Sequence, residues 1–259
     1  MSSQSEVGHA KNVANFEDLI SFCTGFGAAY NPGANNIKLA ALNTINANCK
    51  AAITTNMNAF TAFKNATNAR EIAFQNFRKM ATRIVNALDA CGAALQTIKD
   101  AKTLNTRMRG KAKKFKAGPE GTDVPATPAT PATGPETPAP TENTSHSTSQ
   151  QSYDSLLQHM AGLIQVVNTE PLYTPNENEL KVTGLNAYLA GLQAKNTTCI
   201  TTYTAYSNAR INRDNLLYAS KTGLCDVANE VKKYIKSVFG ATSPQYRQLS
   251  ALKFSKRKI

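Results

Sequence analysis

The sequence predicts an all-α protein in which two homologous helical repeats form an antiparallel helical bundle. Three observations support this prediction. Apolar residues recur at alternating spacings of three and four, as on one face of a helix. A stretch rich in proline, alanine and threonine divides the chain, and the segments on either side of it match each other without a gap.

The dividing stretch spans residues 117–150 and holds seven of the eleven prolines. Val124 is its one branched apolar residue, so the stretch has too little apolar surface to offset the entropy lost on ordering. We predict a disordered tether whose Pro-Ala-Thr triplets favour polyproline II; the alternative is a motif for a proline-binding partner. The predicted organisation is a flexible N-terminus (1–12), a first repeat with a basic end (13–116), the tether (117–150) and a second repeat with a basic tail (151–259).

The repeats align at an offset of 143 residues, which places Tyr30–Phe74 over Tyr173–Leu217. Identical pairs include Tyr30/Tyr173, Pro32/Pro175, Lys38/Lys181, Leu42/Leu185, Asn65/Asn208 and Arg70/Arg213. Such agreement over an ungapped segment predicts a tandem duplication.

Each repeat shows the same three helical segments. The first carries an apolar stripe at Val13, Phe16, Ile20, Cys23 and Tyr30, and in the second repeat at Tyr153, Leu156, Met160, Leu163 and Val167.

A long second helix is predicted to begin at Asn31-Pro32 and at Thr174-Pro175, with Pro at the first helical position and Glu177 completing a capping box. A third segment contains Ile84, Leu88, Cys91, Leu95 and Ile98, matched by Val227, Val231, Tyr234, Val238 and Ala241. Gly223 is predicted to break the chain ahead of this segment, whereas Met80 at the matching position lets the first repeat continue.

Polar residues on the long helices have a structural and a functional interpretation. Asn56 and Asn196 are predicted to fix the register of packing. Arg70 and Arg213 are each followed by an acidic residue, so they are expected to pair across helices; the alternative is a ligand or phosphate groove. The aromatic residues are predicted to be core residues rather than a base-stacking platform; they are Phe60, Phe63, Tyr203 and Tyr206.

One set of residues carries a family resemblance. The set is Tyr173-x-Pro175-Asn176-Glu177, Asn208-Ala209-Arg210-x-x-Arg213-Asp214, Gly223-Leu224, Ser237-Val238-Phe239-Gly240, Ser243-Pro244-x-Tyr246 and Lys253-Phe254. It resembles a family of uncharacterised bacterial proteins with two tandem helical repeats. The first half departs from the pattern at Met80 and lacks the Phe-Gly and Ser-Pro pairs. The resemblance implies an architecture and transfers no activity or site.

No arrangement of residues indicates catalysis. The histidines, His9, His146 and His159, lie in separate segments, and no phosphate-binding loop or dinucleotide fingerprint is present. The five cysteines contain no Cys-x-x-Cys and are predicted to be core residues. We therefore expect a protein that is not an enzyme, with no cofactor, no metal and no small-molecule ligand.

The sequence also contains no targeting or membrane segment. Neither an apolar h-region at the start nor a run of about 18 apolar residues is found. We expect a cytoplasmic protein without a transmembrane helix.

Positive charge is the property that points to a partner. The net charge is +12, and both repeats end in a basic run. The candidate nucleic-acid-binding residues are Arg107, Arg109, Lys111, Lys113, Lys114, Lys116, Lys253, Lys256, Arg257 and Lys258. Binding to phosphates at these ends would be nonspecific and sensitive to salt. The alternative is that lysines at the C-terminal ends of helices interact favourably with the helix dipole and increase solubility.

Two functions follow from these features. The first is a non-enzymatic structural or protein-interaction module that acts through its helices, by self-association or with a protein partner. The alternative is a basic protein that associates with nucleic acid. The sequence leaves open whether the repeats pack with each other or with another chain.

Overall fold

The computed structural model describes residues 8–110 and 151–256. It confirms the all-α class, because this part of the chain forms helices and no β-strand. The helices are α1 (His9–Gly25), α2 (Leu39–Phe74), α3 (Phe77–Ala90), α4 (Leu95–Arg109), α5 (Tyr153–Asn168), α6 (Val182–Tyr218), α7 (Leu224–Phe239) and α8 (Pro244–Ala251), with 3₁₀ turns at Gly27–Ala29 and Asn35–Ile37. The predicted tether lies outside the described residues.

The chain divides into two compact units, and each unit draws on both predicted repeats. Unit 1 comprises residues 1–72 and 194–259, and unit 2 comprises residues 73–193. Helix α6 accordingly contributes residues 182–193 to unit 2 and residues 194–218 to unit 1. A unit is therefore not the same thing as a repeat. The duplication itself stays a prediction.

The core of unit 1 joins the start of the chain to its end. The predicted α1 stripe, Val13, Phe16, Ile20 and Cys23, is buried there. It packs in one cluster with residues of α7 and α8, which are Leu224, Val227, Val231, Ile235 and Leu249. Helix α7 is kept separate from α6 at Gly223, where an added Cβ would lie 2.7 Å from the carbonyl oxygen of Ala219. The predicted break at this glycine is therefore found.

The core of unit 2 is built from α3, α4, α5 and the first part of α6. Its largest fully buried side chains are Phe77, Ile84, Leu88, Met108, Met160, Leu163, Leu185 and Leu192. The predicted α5 stripe is buried here except at Tyr153, which is partly exposed and packs edge-on against Phe74 with ring centroids 4.7 Å apart.

The predicted starts of the long helices are wrong. Helix α2 begins at Leu39 and α6 at Val182, about seven residues after the Asn31-Pro32 and Thr174-Pro175 pairs. The reason is a hydrogen bond that each intervening loop closes on itself. The Tyr30 hydroxyl donates to the Ile37 carbonyl, and the Tyr173 hydroxyl donates to the Leu180 carbonyl over 2.9 Å. Both tyrosines are buried, so these loops are part of the cores.

The third segment follows its predictions only in part. Met80 lies inside α3, so no break occurs at the position matched to Gly223, but the first repeat is interrupted earlier, because α2 ends at Phe74 and α3 begins at Phe77. The segment then divides again after Ala90, where Gly92 adopts a left-handed conformation with φ of 78° that ends the helix. In the second repeat the Ser-Pro pair begins a helix, since the Ser243 hydroxyl accepts a hydrogen bond from the Tyr246 amide and Pro244 is at the first position of α8.

Candidate interaction surfaces

In unit 1, parts of α2 and α6 lie side by side and run in opposite directions. Aromatic rings pair across them, with centroids 5.3 Å apart for Phe60 and Tyr206 and also for Phe63 and Tyr203. One and two helical turns further along α2, the Thr67 hydroxyl lies 3.6 Å from the Cys199 sulfur, and Arg70 donates to the side-chain oxygen of Asn196 over 3.1 Å.

The polar residues of this segment follow the sequence predictions only in part. Asn196 is buried and bonded across the two helices, as a register-fixing amide would be. Arg213 differs from the prediction, because it binds the carboxylate of its neighbour Asp214 within α6 over 2.7 Å. That carboxylate also lies 4.0 Å from the His9 ring nitrogen.

The prediction that the paired aromatic residues are core residues is wrong. Phe60 is 42% exposed and Tyr203 is 54% exposed, although both rings contact a ring of the other helix in a tilted arrangement. Two paired helices cover only the facing side of each other, so large side chains at the edge of the contact keep contact with solvent.

Several large apolar side chains of α2 and α6 are exposed, and we call them together the α2–α6 apolar surface. Its members are Met57, Phe60, Ile72, Ile200, Tyr203 and Ile211, each more than two-fifths exposed. At about 100° per residue, the three on α2 fall within about 120° of the helix circumference, and the three on α6 within about 80°. Each helix therefore presents its exposed apolar residues on one side.

The predicted basic ends lie in different units where they are described. Arg107 and Arg109 occupy the last turn of α4 in unit 2, and Lys253 and Lys256 follow α8 in unit 1. The remaining candidates, Lys111, Lys113, Lys114, Lys116, Arg257 and Lys258, lie outside the described residues.

Lys256 is engaged inside unit 1. Its ammonium group lies 2.9 Å from both carboxylate oxygens of Asp226, and this contact holds the pKa of that carboxyl below its usual value. The charge of Lys256 is therefore partly compensated before any partner approaches.

The segment that carries Lys253 and Lys256 is held against α1 by asparagine side chains. Asn12 donates to the Ser255 carbonyl over 2.9 Å and accepts from the Ser255 amide over 3.0 Å, while Asn15 donates to the Lys253 carbonyl over 2.7 Å. Both asparagines are buried. The sequence analysis missed them, although two amides three residues apart on the apolar stripe of α1 were a visible signal of a backbone contact.

Arg109 belongs to a basic groove in unit 2 that the sequence analysis did not identify. Arg78, Lys79, Thr82 and Arg109 line a cavity of about 490 Å³. Arg109 donates to the Thr82 hydroxyl over 2.9 Å, and Arg78 donates to the Gln151 side chain over 3.0 Å. Three cations thus converge from α3 and α4. Such an arrangement favours an anionic group such as a phosphate.

A larger groove in unit 2 lies between α3 and the loop that follows α5. Its volume is about 850 Å³. Helix α3 forms one side with Ala87, Ala90 and Cys91, and the loop forms the other with Leu172 to Glu177. An ion pair between Arg83 and Glu179 lies at this edge of α3, with 2.5 Å between the charged atoms.

The cysteines form no disulfide among the described residues, and four of the five are buried. Burial raises the pKa of Cys23 and Cys49 to about 12 and that of Cys225 to about 11. Cys91 differs from the prediction, because it is only half-buried at the side of the larger groove.

No group of three or more His, Cys, Asp or Glu side chains in the described part of the chain is arranged to hold a metal ion. None of the helices in residues 8–110 and 151–256 is both long and apolar enough to cross a membrane.

No family model, curated protein or solved structure matches this chain. The functional conclusion therefore rests on the surfaces described above.

Proposed function

We propose that the protein is a non-enzymatic interaction module that binds another protein chain through the α2–α6 apolar surface. The observation that carries this proposal is the exposure of six large apolar side chains on two paired helices. Single exposed apolar residues are normal on a protein surface, whereas a concentration of them on one side of each of two paired helices favours an interaction site.

The predicted duplication adds support. Met57 and Ile200 are 143 residues apart, and so are Phe60 and Tyr203, which makes each pair equivalent under the predicted offset. A two-fold axis that runs between two antiparallel helices, perpendicular to both, exchanges the helices. Equivalent residues on the two helices then face the same side of the pair. The four residues would then share one face. The matching hydrogen bonds of Tyr30 and Tyr173 also favour two homologous repeats, and the antiparallel run of α2 beside α6 favours repeats that pack with each other as an antiparallel bundle.

Site-specific crosslinking tests the proposal. A photoreactive amino acid in place of Ile200 should give a discrete adduct in the cells that make the protein, or a crosslinked dimer of the purified chain. The same group at Thr198, two residues away on the other side of α6, should give neither. The substitution Ile211→Glu should remove the adduct, and Leu95→Glu, at an isolated exposed position in unit 2, should leave it unchanged. Equal adducts from both positions would contradict the proposal.

The basic groove favours a second candidate function, association with the phosphate backbone of nucleic acid. Arg78, Lys79 and Arg109 would contact phosphates there. Binding of this kind falls steeply with salt, because counterions are released from the nucleic acid.

Fluorescence anisotropy tests this candidate with a random duplex at about 50 and 200 mM salt. Replacing Arg78, Lys79 and Arg109 with Gln should weaken binding at low salt by more than tenfold. A matched variant removes the same charge from residues in surface ion pairs, namely Lys50, Arg83 and Lys102. Equal loss in both variants would show that net charge, rather than the groove, binds the duplex.

A further inference from the structure

The larger groove of unit 2 has a counterpart in unit 1 that is already filled. In unit 1, the ring of Tyr234 on α7 packs edge-on against Tyr30, with centroids 5.4 Å apart and an interplanar angle of 86°. The Tyr234 hydroxyl also accepts a hydrogen bond from the backbone amide of Asn31 over 3.2 Å. A tyrosine from the helix thus seals the loop that follows α1.

The same loop geometry is present in unit 2 without that tyrosine. Tyr173 makes the hydrogen bond to Leu180 that Tyr30 makes to Ile37, so both loops bring a buried tyrosine to the same place. The position matched to Tyr234 at the offset of 143 is Cys91. A cysteine is too short to reach the tyrosine ring as a phenol does.

Two neighbouring positions differ in the same direction. On α3, unit 2 has Ala87 and Ala90, whereas the matched positions of α7 in unit 1 are Glu230 and Lys233. All three substitutions replace a large side chain with a small one on a single face of the helix. Ala87, Ala90 and Cys91 all line the open volume of about 850 Å³ beside α3. Two of their matched residues contact the loop in unit 1, since Tyr234 accepts a hydrogen bond from Asn31 and Glu230 accepts one from Asn36.

We propose that this groove binds a tyrosine side chain presented by another polypeptide. The incoming ring packs edge-on against Tyr173, and its hydroxyl accepts a hydrogen bond from the amide of Thr174, the residue matched to Asn31. These are the contacts that Tyr234 makes in unit 1. The groove carries charges of both signs, from Arg83 and Glu177, so the aromatic ring is the feature recognised.

The tyrosine comes from a second molecule. The chain has nine tyrosines, and all nine lie within residues 8–110 and 151–256. The segments outside these ranges therefore contain no tyrosine that could enter the groove. This site is separate from the α2–α6 apolar surface, which lies in unit 1, so either proposal can fail without the other.

The first test uses N-acetyl-tyrosinamide as the probe and the full-length protein. In two-dimensional amide NMR spectra, millimolar probe should shift the Thr174 signal in a saturable manner. N-acetyl-phenylalaninamide should bind several-fold more weakly, because it lacks the hydroxyl, and N-acetyl-leucinamide should cause no saturable shift. Equal shifts from the tyrosine and leucine probes would overturn the proposal.

Alkylation gives a second readout on the same samples. Cys91 is the half-buried thiol and the other four are buried, so iodoacetamide should modify Cys91 first. Bound N-acetyl-tyrosinamide should slow this modification several-fold, while N-acetyl-leucinamide should not. Unchanged alkylation at a probe concentration that saturates the NMR shift would place the probe elsewhere and overturn the proposal.

Three variants separate binding in the groove from general effects. Cys91→Tyr supplies the missing ring from α3 and should abolish probe binding, whereas Cys91→Ser keeps the space and should bind as the native protein does. Tyr234→Cys opens the counterpart in unit 1 and should add a second site, seen as shifts of the Asn31 amide. Undiminished binding to a folded Cys91→Tyr protein would contradict the proposal.

Discussion

Two buried asparagines, Asn12 and Asn15, attach the C-terminal segment to α1. They contact only backbone atoms of that segment, at Lys253 and Ser255. A side-chain amide offers both a donor and an acceptor, so it can pair with a peptide group as a neighbouring strand would. This contact depends little on the side chains of the segment and strongly on the two asparagines.

We predict that Asn12→Ala destabilises unit 1 by about 1–3 kcal/mol, because both hydrogen bonds to the Ser255 peptide group are lost, together with a longer one to the Tyr218 hydroxyl. Urea denaturation followed by circular dichroism measures this change. In a chain shortened to end at Leu252, the same substitution should cost much less. Asn68→Ala, at an exposed position of α2, is the control and should leave the midpoint within error. An equal cost of Asn12→Ala in the long and the short chain would contradict the predicted role.

At the scale of the element, α2 and α6 show what the sequence could and could not predict. The spacing of apolar residues identified both helices, and the amide of Asn196 was correctly interpreted as a contact across them. Their first residues were not predictable from local signals. The loops before them are closed by tyrosines that bond to carbonyls seven residues away, and this contact outweighs the Pro-based start signal.

The exposure of individual side chains along the same helices could not be predicted from the sequence either. Phe60 and Tyr203 have the composition and spacing of core residues, and whether such residues are buried depends on how many elements surround them. Periodicity identifies the contact side of a helix without giving the number of its neighbours. The two grooves of unit 2 depend similarly on which helices meet. The one signal of the larger groove in the sequence is the small residue Cys91 at the position that aligns with Tyr234.

The register of α2 against α6 can be tested with a disulfide. The Thr67 hydroxyl oxygen lies 3.6 Å from the Cys199 sulfur, so Thr67→Cys should place two sulfurs within reach of a bond. Under mild oxidation we expect a bridge within one chain, detected by mass spectrometry of joined peptides, and a higher urea midpoint. Thr61→Cys, on the same helix but away from this contact, should form no bridge to Cys199. Equal bridging from both positions would show that the register is not fixed.

At the scale of the whole molecule, buried acids with raised pKa values predict a loss of stability in alkali. Burial raises the pKa of three thiols to about 11–12 and that of Tyr173 to about 12. In the unfolded chain, thiols titrate near about 8.5 and tyrosines near about 10. The folded state therefore holds these protons more tightly. Its stability is complete below about pH 8.5 and declines as the pH rises towards the folded pKa values.

Urea midpoints measured from pH 7 to 10.5 should therefore be constant at first and then fall. Cys23→Ala removes one of the buried thiols and should make the fall shallower. The control substitution Ile20→Val, in the same buried cluster as Cys23, removes no titratable group and should leave the slope unchanged. A midpoint that stays constant to pH 10.5 would contradict the prediction.

The arrangement of the cores predicts how the chain responds to a cut in residues 117–150. Each core contains residues from both sides of that stretch. After cleavage at an inserted protease site, the two fragments should elute together in size-exclusion chromatography and separate only in denaturant. Elution as two independent folded fragments would show that each repeat has a complete core of its own.

The composition of these cores also sets the molecularity of folding. In the continuous chain, both halves of every core are covalently linked, so core assembly is first order and its rate is independent of protein concentration. The stretch between the repeats fixes the effective concentration at which they meet. The residues on one side of that stretch, produced alone, would have to find a second chain, and refolding would become second order. The covalent link therefore keeps folding independent of dilution.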